Sequence, residues 1–173
     1  MTGVRLARME ELDALLDLVK ATVRDLDSQG IYQWDEIYPD RPTLLKDIEL
    51  QELRVIEVDG RIAGMIAINE VQSPGYETVP WSYHGRVLVV HRLIVDPRYQ
   101  RQKLGSQLMD CAEREAAREG YDTIRLDAFT ENPAALAFYK GRGYRQVGTV
   151  PFRKGHFHCF EKAVFLFFPR KVC

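Results

Sequence analysis

The sequence predicts a mixed α/β fold in a single domain that spans residues 1–173. A chain of 173 residues suits one domain of ordinary size. Apolar residues recur at helical intervals near the N-terminus, and several β-leaning runs follow them, as an α/β fold requires. A composition of 46% hydrophobic and 28% charged residues indicates a chain that buries its own core without disulfides or a structural metal.

Two helices are predicted in the first third of the chain. Apolar residues repeat every three or four positions between residues 12 and 26, on one stripe of a helix that ends before Ser28. Residues 31–39 are aromatic but aperiodic and are expected to form a loop. Pro42 suits the first turn of a second helix. That helix is expected to carry the apolar residues Leu44, Leu45, Ile48 and Leu53.

The middle of the chain favours β structure. Residues 54–58 and 61–69 predict two strands, and Asp59-Gly60 between them is a pair that tight hairpin turns prefer. Residues 71–85 contain two prolines and two glycines and predict a long loop. Residues 86–95 are nearly all apolar, which indicates a strand buried on both faces of a sheet.

A helix and an alternating strand are expected next. A polar turn at residues 98–103 leads into a helix that Gly120 stops. Residues 123–128 alternate between polar and apolar side chains, as a strand does. The polar members, which share one face, are Thr123, Arg125 and Asp127.

The last part of the chain predicts a short helix followed by two strands. Asn132 suits the cap of that helix and Pro133 its first turn. Strands near residues 144–150 and 157–165 then complete the fold.

The junction between the strand 86–95 and the helix after it carries a chemical signal. The first turn of a helix has four backbone N–H groups without helical partners and a partial positive charge, so the turn before it can hold phosphate oxygens. Arg101 and Lys103 add mobile cations there, and Gly105 lets a ligand approach the backbone closely. Taken alone, these residues also fit an ordinary strand–turn–helix connection with solvated charges.

Two sequence blocks resemble the GNAT superfamily of acyl-CoA-dependent N-acyltransferases. Gln100-Arg-Gln-Lys-Leu-Gly105 resembles the family's loop pattern Gln/Arg-x-x-Gly-x-Gly/Ala, with Lys103 where the first glycine usually stands. Asn132-Pro-Ala-Ala-Leu-Ala-Phe-Tyr139, followed by Gly141-Arg-Gly-Tyr144, resembles the family's later Asn…Phe-Tyr…Gly-Phe segment. The blocks occur in the family's order and spacing, and the resemblance covers residues 87–150.

The resemblance implies both a fold and an activity. The fold is a GNAT-like α/β (α+β) domain, with a central, twisted, mostly antiparallel sheet that is flanked by helices on both faces and splayed where the acyl-CoA enters. The activity is that of an N-acetyltransferase, which moves an acetyl group from acetyl-CoA to a primary amine by direct transfer in a ternary complex. Acetyl-CoA is the expected co-substrate, and no metal is expected.

The resemblance also assigns roles to individual residues. Tyr139 matches the tyrosine that protonates the departing sulfur, although it also suits a half-buried aromatic in a short helix. Asn132 either contacts the pantetheine arm or only caps its helix. The main chain of the strand before the loop is expected to hold the thioester. The residues expected to bind acetyl-CoA are Leu93, Ile94, Val95, Gln100, Arg101, Gln102, Lys103, Leu104, Gly105, Ser106 and Asn132.

A general base is harder to assign from the sequence. Glu70 closes the second hairpin strand, where the family sometimes has a carboxylate that acts through water, and we expect it to be the base. Glu70 also suits a solvated charge at a strand end. His91 is a weaker candidate, because a lone histidine in a buried strand is more often a core residue. An amine that arrives as its free base would need no base at all.

The acceptor is expected to lie against the first two helices and the loops 30–40 and 71–85, which combine acids with aromatic residues. That mixture suits a small cationic amine, and a peptide amine stays open. With 24 basic and 25 acidic residues the net charge is −1, so nucleic acid is not an expected partner. No run is apolar for long enough to predict a membrane partner, and no leader is visible, so we expect a cytoplasmic protein. A homodimer stays open.

Two rival functions remain at this stage. A non-catalytic acyl-CoA-binding or sensing module would keep the cofactor groove without turnover, and Lys103 in the loop favours it. His156 and His158 lie two apart on a predicted strand and could share a metal, but further ligands at suitable spacing are lacking. A pair of surface histidines is the simpler interpretation.

Overall fold

The computed structural model describes residues 3–166 of the chain. The helices found there are α1 (Leu12–Ser28), α2 (Arg41–Glu49), α3 (Leu104–Arg118) and α4 (Pro133–Gly141). The strands are β1 (Val4–Leu6), β2 (Leu53–Val58), β3 (Arg61–Asn69), β4 (Val87–Val95), β5 (Thr123–Phe129), β6 (Arg145–Phe152) and β7 (Gly155–Ala163). None of the helices in this part of the chain combines the length and the apolar character that crossing a membrane requires.

The strands form one seven-stranded sheet in the order β1-β2-β3-β4-β5-β7-β6. β2 pairs antiparallel with β1 and β3, β4 pairs parallel with β5, and β7 pairs antiparallel with β5 and β6. The predicted α/β class with a mostly antiparallel sheet is therefore confirmed. The chain falls into two compact units, residues 3–68 with 91–112 and residues 69–90 with 113–166, and β4 contributes to both.

The first unit has a core that α1 and α2 share with the first strands. Its turn 59–60 forms as predicted, with Asp59 and Gly60 at φ of 50° and 73°. Leu53, predicted on the second helix, instead begins β2, because α2 ends at Glu49 and Gln51 takes a φ of 56° that no helix continues. The buried apolar residues of this core are Leu12, Leu15, Leu18, Val19, Leu44, Ile48, Leu53, Val55, Met65, Ala67 and Ile94.

In the second unit, the loop 71–85 covers the polar face of β5. Arg125 donates hydrogen bonds to the Gln72 side chain at 2.6 Å and to the Tyr83 carbonyl at 2.9 Å, and its guanidinium lies 4.3 Å from the Trp81 ring centroid. Arg125 is 5% exposed as a result. The alternation of β5 therefore separates two buried faces, one apolar and one lined by polar groups.

The last strands differ from the prediction in their bounds. β6 continues to Phe152 and β7 begins at Gly155, because the antiparallel pairing extends to the Phe152–Gly155 pair and leaves only two residues for the turn. Gly155 has a φ of 141°, which a residue with a side chain rarely adopts.

Candidate active site

Asp96 fixes the start of the turn between β4 and α3. Its buried carboxylate accepts the backbone N–H of Arg98 at 2.9 Å and the Arg98 guanidinium at 2.7 Å. The Arg98 side chain holds the pKa of Asp96 below its ordinary value. The charge of Arg98 is therefore paired with Asp96 within the turn. The residues predicted to bind the cofactor follow it in the chain.

Arg101 and Lys103 adopt left-handed backbone conformations, with φ of 66° and 59°. Lys103 occupies the position where the family pattern has glycine, and the left-handed conformation is the one glycine adopts most readily. A residue with a side chain bears a strain of about 1 kcal/mol there. Successive N–H groups in turns of this kind form a concave nest that favours anions.

The start of α3 adds backbone donors to the same turn. The Lys103 carbonyl accepts the first helical hydrogen bond, from the Gln107 N–H at 3.0 Å. The N–H groups of Leu104, Gly105 and Ser106 consequently lie in the first helical turn, where the helix provides no acceptor for them.

The side chains of this turn are available to a ligand. Gln100, Arg101, Gln102 and Lys103 are all exposed. Within residues 3–166, neither Arg101 nor Lys103 pairs with a carboxylate. Two unneutralised cations beside a helix N-terminus fit the diphosphate of a coenzyme A group.

In the strand before the turn, the peptide groups of alternate residues face opposite ways, towards β3 or away from it. A Cβ atom at Gly64 of β3 would come within 2.9 Å of the Ile94 carbonyl oxygen, so that oxygen faces β3. The backbone N–H of Asp96 also points to β3 and donates to Ala63 at 2.8 Å. Because peptide groups alternate along a strand, Leu93 and Val95 direct theirs away from β3. Of the three predicted residues, these two have main-chain groups suited to a ligand.

Both residues predicted from the second motif lie on α4. The Asn132 side chain caps the helix by accepting the Ala135 N–H at 3.1 Å, as predicted. Tyr139 follows seven residues later, about 10.5 Å along the helix axis.

Tyr139 is buried, at 8% exposure. Desolvation raises the pKa of its hydroxyl, and the negative charge of Asp127 raises that pKa further. The hydroxyl therefore stays protonated at neutral pH and can act as a proton donor. The aromatic rings that pack against it are those of Phe138, Tyr144 and Phe160.

Asp127 on β5 is a candidate site residue that sequence reasoning missed. Its half-buried carboxylate accepts a hydrogen bond from the Tyr76 hydroxyl at 2.7 Å. Desolvation raises its pKa from 3.8 to about 6, although hydrogen bonds from Tyr76 and Ser73 oppose the shift. A carboxylate with this pKa, close enough to influence Tyr139, is the kind of group that accepts protons during catalysis.

Glu70, the expected base, lies in a different environment. Its exposed carboxylate accepts hydrogen bonds from Tyr121 at 2.8 Å and from Arg86 at 3.0 Å, and both lower its pKa. Tyr121 precedes Asp127 by six residues, a distance of about 20 Å along extended chain. Glu70 therefore sits at the far end of β5 from Asp127, and a paired carboxylate of low pKa is a weak base.

Several acids and aromatics expected to line an acceptor site have structural roles instead. Tyr76 and Trp81 are buried, at 2% and 8% exposure. Asp35 accepts the backbone N–H groups of two residues in its own loop, at 3.1 and 3.3 Å. Asp40 caps α2 by accepting the Thr43 N–H at 3.0 Å. These groups stabilise the loops and do not by themselves select a cationic amine.

Of the two histidines of β7, His156 is exposed and His158 is half-buried. His158 Nδ1 lies 2.8 Å from the Thr149 hydroxyl on β6. Among residues 3–166, no three or more His, Cys, Asp or Glu side chains gather into a group that could hold a metal ion.

Comparisons with known proteins agree with this geometry. The Acetyltransferase (GNAT) family model matches residues 18–144. The uncharacterized N-acetyltransferase YesJ of Bacillus subtilis (strain 168) is 26% identical over 159 residues, which are 90% of this chain and 86% of that protein. The ribosomal protein bS18-alanine N-acetyltransferase of Escherichia coli (strain K12) is 37% identical over 54 residues, 31% of this chain and 36% of that enzyme.

Solved structures share the fold. A GNAT family acetyltransferase from Streptococcus agalactiae superposes with a TM-score of 0.80 at 23% identity, over 94% of this chain and 95% of that one. The PaiA N-acetyltransferase of Thermoplasma acidophilum, solved with coenzyme A, gives 0.72 at 18% identity over 94% and 99%. With the family match over residues 18–144, these findings show that the chain belongs to the GNAT acetyltransferase family.

Proposed function

We propose that this protein transfers an acetyl group directly from acetyl-CoA to a primary amine, and that residues 1–173 act as one N-acetyltransferase domain. The observation that carries the proposal is the buried Tyr139 hydroxyl on α4, a proton donor that stays protonated at neutral pH, in the same unit of the chain as Asp127, a carboxyl on β5 that can accept a proton. Acyl transfer from a thioester to an amine releases a proton at nitrogen and takes one up at sulfur, so both groups can assist it.

Residues of the first unit would hold acetyl-CoA, which supplies the reactive thioester when bound. The exposed turn 100–103 and the N–H groups of Leu104, Gly105 and Ser106 suit its diphosphate. The outward peptide groups of Leu93 and Val95 suit the pantetheine arm and the acyl carbonyl, where a main-chain N–H can stabilise developing negative charge.

The two titratable side chains divide the proton transfers. As the amine nitrogen forms its bond to the carbonyl carbon, Asp127 accepts the proton that the nitrogen loses. As the carbon–sulfur bond breaks, Tyr139 donates its proton to the sulfur. The net products are an amide and coenzyme A with its thiol protonated, and proton exchange with water restores both side chains.

Direct transfer is favoured over a covalent enzyme intermediate because the cysteine in this unit is a poor nucleophile. Cys159 is fully buried on β7, opposite Asp127. Desolvation raises the pKa of its thiol to about 12, so the thiolate is scarce at neutral pH.

The acceptor belongs to one of two classes of primary amine. A small-molecule amine was expected from the sequence, whereas the bS18-alanine N-acetyltransferase is named for a protein acceptor. Structural roles for Asp35 and Asp40 weaken the argument for a small cationic amine. Both classes therefore belong in the assay.

The test combines turnover with binding. Release of the coenzyme A thiol should be measured with polyamines, amino acids and peptides with free N-termini, while a thermal-shift assay measures acetyl-CoA binding. We expect stabilisation by acetyl-CoA and turnover with at least one amine. Stabilisation without turnover on any amine would favour the sensing module. The absence of both stabilisation and turnover would refute the proposal.

A further inference from the structure

Arg92 interrupts β4 immediately before the residues that present their main chain to the thioester. Its φ is 48°, in the left-handed region that a non-glycine residue in a strand does not normally adopt. Residues 87–90 are all buried, whereas His91, Arg92 and Leu93 are only partly buried, so the strand's inside–outside pattern also changes here. Such local strain persists only where the surroundings hold it in place.

Three contacts within the first unit hold the Arg92 side chain. The guanidinium donates to both carboxylate oxygens of Asp47, each at 2.7 Å, and to the Tyr38 hydroxyl at 2.8 Å. The side chains of Arg92 and Asp47 are 8% and 5% exposed. This bidentate geometry is the strongest form of an arginine–carboxylate contact.

Asp47 is poorly placed for the stability of its own helix. It lies near the end of α2, where the helix dipole disfavours a negative charge, and the other buried residues of this helix, Leu44 and Ile48, are apolar. Burial raises the pKa of Asp47, and the positive charge of Arg92 opposes that shift. Its hydrogen bonds to Arg92 therefore explain why a carboxylate occupies this buried position.

We propose that Arg92 is a positioning residue: the buried clamp from Asp47 and Tyr38 fixes the break in β4 and thereby sets the direction of the Leu93 and Val95 peptide groups. The inference rests on the proposed function, because it assigns those peptide groups to the thioester. Tyr38 belongs to the loop 31–39, so the clamp also ties that loop to the strand. Neither α2 nor the loop needs to touch the reacting atoms.

The first test removes the charge of Asp47 while keeping the shape of its side chain. Asp47→Asn should lower kcat at least tenfold, because a misplacement of about 1 Å in a reacting group can reduce rates by about 10²-fold. The Kd of coenzyme A should change by a smaller factor than kcat does, since the turn 100–106 proposed to hold the diphosphate is untouched. Tyr38→Phe should give a smaller loss of kcat in the same direction.

A second variant separates positioning from stability. Arg92→Met combined with Asp47→Leu replaces the buried ion pair with apolar groups, an exchange that often preserves stability. We expect its Tm to match the wild-type value while kcat stays at least about tenfold low. Recovery of kcat along with Tm would overturn the proposal, as would a wild-type kcat in Asp47→Asn.

Amide hydrogen exchange of residues 91–96 provides a readout that needs no substrate. Asp47→Asn should accelerate exchange there at least about tenfold, because the clamp limits local opening. Asp13→Asn is the matched control, since it breaks an exposed Arg41–Asp13 pair of the same 2.7 Å length in the same unit. Unchanged exchange in Asp47→Asn would refute the clamp. Faster exchange in a protein that acetylates no amine would support the clamp and refute the proposed function.

Discussion

At the scale of single residues, Asp127 shows what the sequence could and could not indicate. The alternation of residues 123–128 correctly placed it on a polar strand face. Its raised pKa results from burial in the folded chain, and the Tyr76 hydroxyl that donates to it is 51 residues away in the sequence. By contrast, Asn132 was predictable, because capping and the following proline are local signals. Sequence could therefore suggest Tyr139 as the proposed proton donor but not Asp127 as the proposed acceptor.

Asp127→Asn should lower activity and raise stability. The wild-type carboxyl has a pKa raised from 3.8 to about 6, so the folded state retains its proton more firmly than the unfolded state does. The free energy of unfolding therefore falls as the pH rises from about 4 to about 6. Above that range the ionised carboxylate destabilises the folded state by a constant amount. At pH 8 the variant should be more stable by about 3 kcal/mol, and kcat should fall by about 10²-fold.

Denaturant unfolding at pH 3.5 and pH 8 checks the stability claim. The variant's gain in stability should be present at pH 8 and nearly absent at pH 3.5, where the wild-type carboxyl is mostly protonated in both the folded and the unfolded chain. Equal stability of the variant and the wild type at pH 8, together with unchanged kcat, would remove Asp127 from the mechanism.

Lys103 tests whether the backbone of the turn or its charge matters more. Lys103→Gly keeps the left-handed conformation and should weaken coenzyme A binding only a few-fold, with the loss shrinking at high salt. Lys103→Val cannot adopt that φ without large strain and should weaken binding about tenfold or more. Isothermal titration with coenzyme A distinguishes them. Equal losses in both variants would mean that the charge, not the conformation, is what binds.

At the scale of elements, those marked by a strong local sequence pattern were predicted correctly, and those that depend on pairing with distant segments were not. The stripe of α1 and the turn 59–60 follow from periodicity and from residue types that tolerate positive φ. β1 has three residues and depends on its pairing with β2, so no local pattern marks it. Leu53, predicted on the second helix with Leu44 and Ile48, lies instead in β2, where pairing with Ala67 decides its structure.

Gly64 on β3 controls the placement of β4. A Cβ atom there would meet the Ile94 carbonyl oxygen at 2.9 Å, with Leu108 and Ile56 side chains at 3.1 and 3.2 Å. Gly64→Ala should therefore lower the free energy of unfolding by about 1–3 kcal/mol. It should also reduce kcat, because relief of the contact shifts the strand that presents Leu93 and Val95.

Thermal unfolding measures the loss of stability in Gly64→Ala, and thiol release measures the loss of kcat. Gly60→Ala is the control: Gly60 lies in open space at a φ of 73°, so this variant reports backbone strain alone. A fully stable, fully active Gly64→Ala would contradict the close approach.

At the scale of the whole molecule, the family was predictable and the chemistry only in part. Two motifs in the right order indicated the GNAT family, and the family match over residues 18–144 confirms it. Lys103, the departure from the pattern, is compatible with the fold because it adopts a left-handed conformation, which glycine adopts most readily. Glu70 could not be judged from its position at a strand end, since Arg86 and Tyr121, which occupy its carboxylate, are distant in sequence.

The most direct test of the central claim is a comparison of Tyr139→Phe with the wild-type protein in the thiol-release assay, with Kd for coenzyme A measured in parallel. The variant retains the ring that packs against Tyr144 and Phe160 and lacks only the proton donor. We expect kcat to fall by about 10²-fold while Kd changes by less than about threefold. A Tyr139→Phe variant with wild-type kcat would contradict the account.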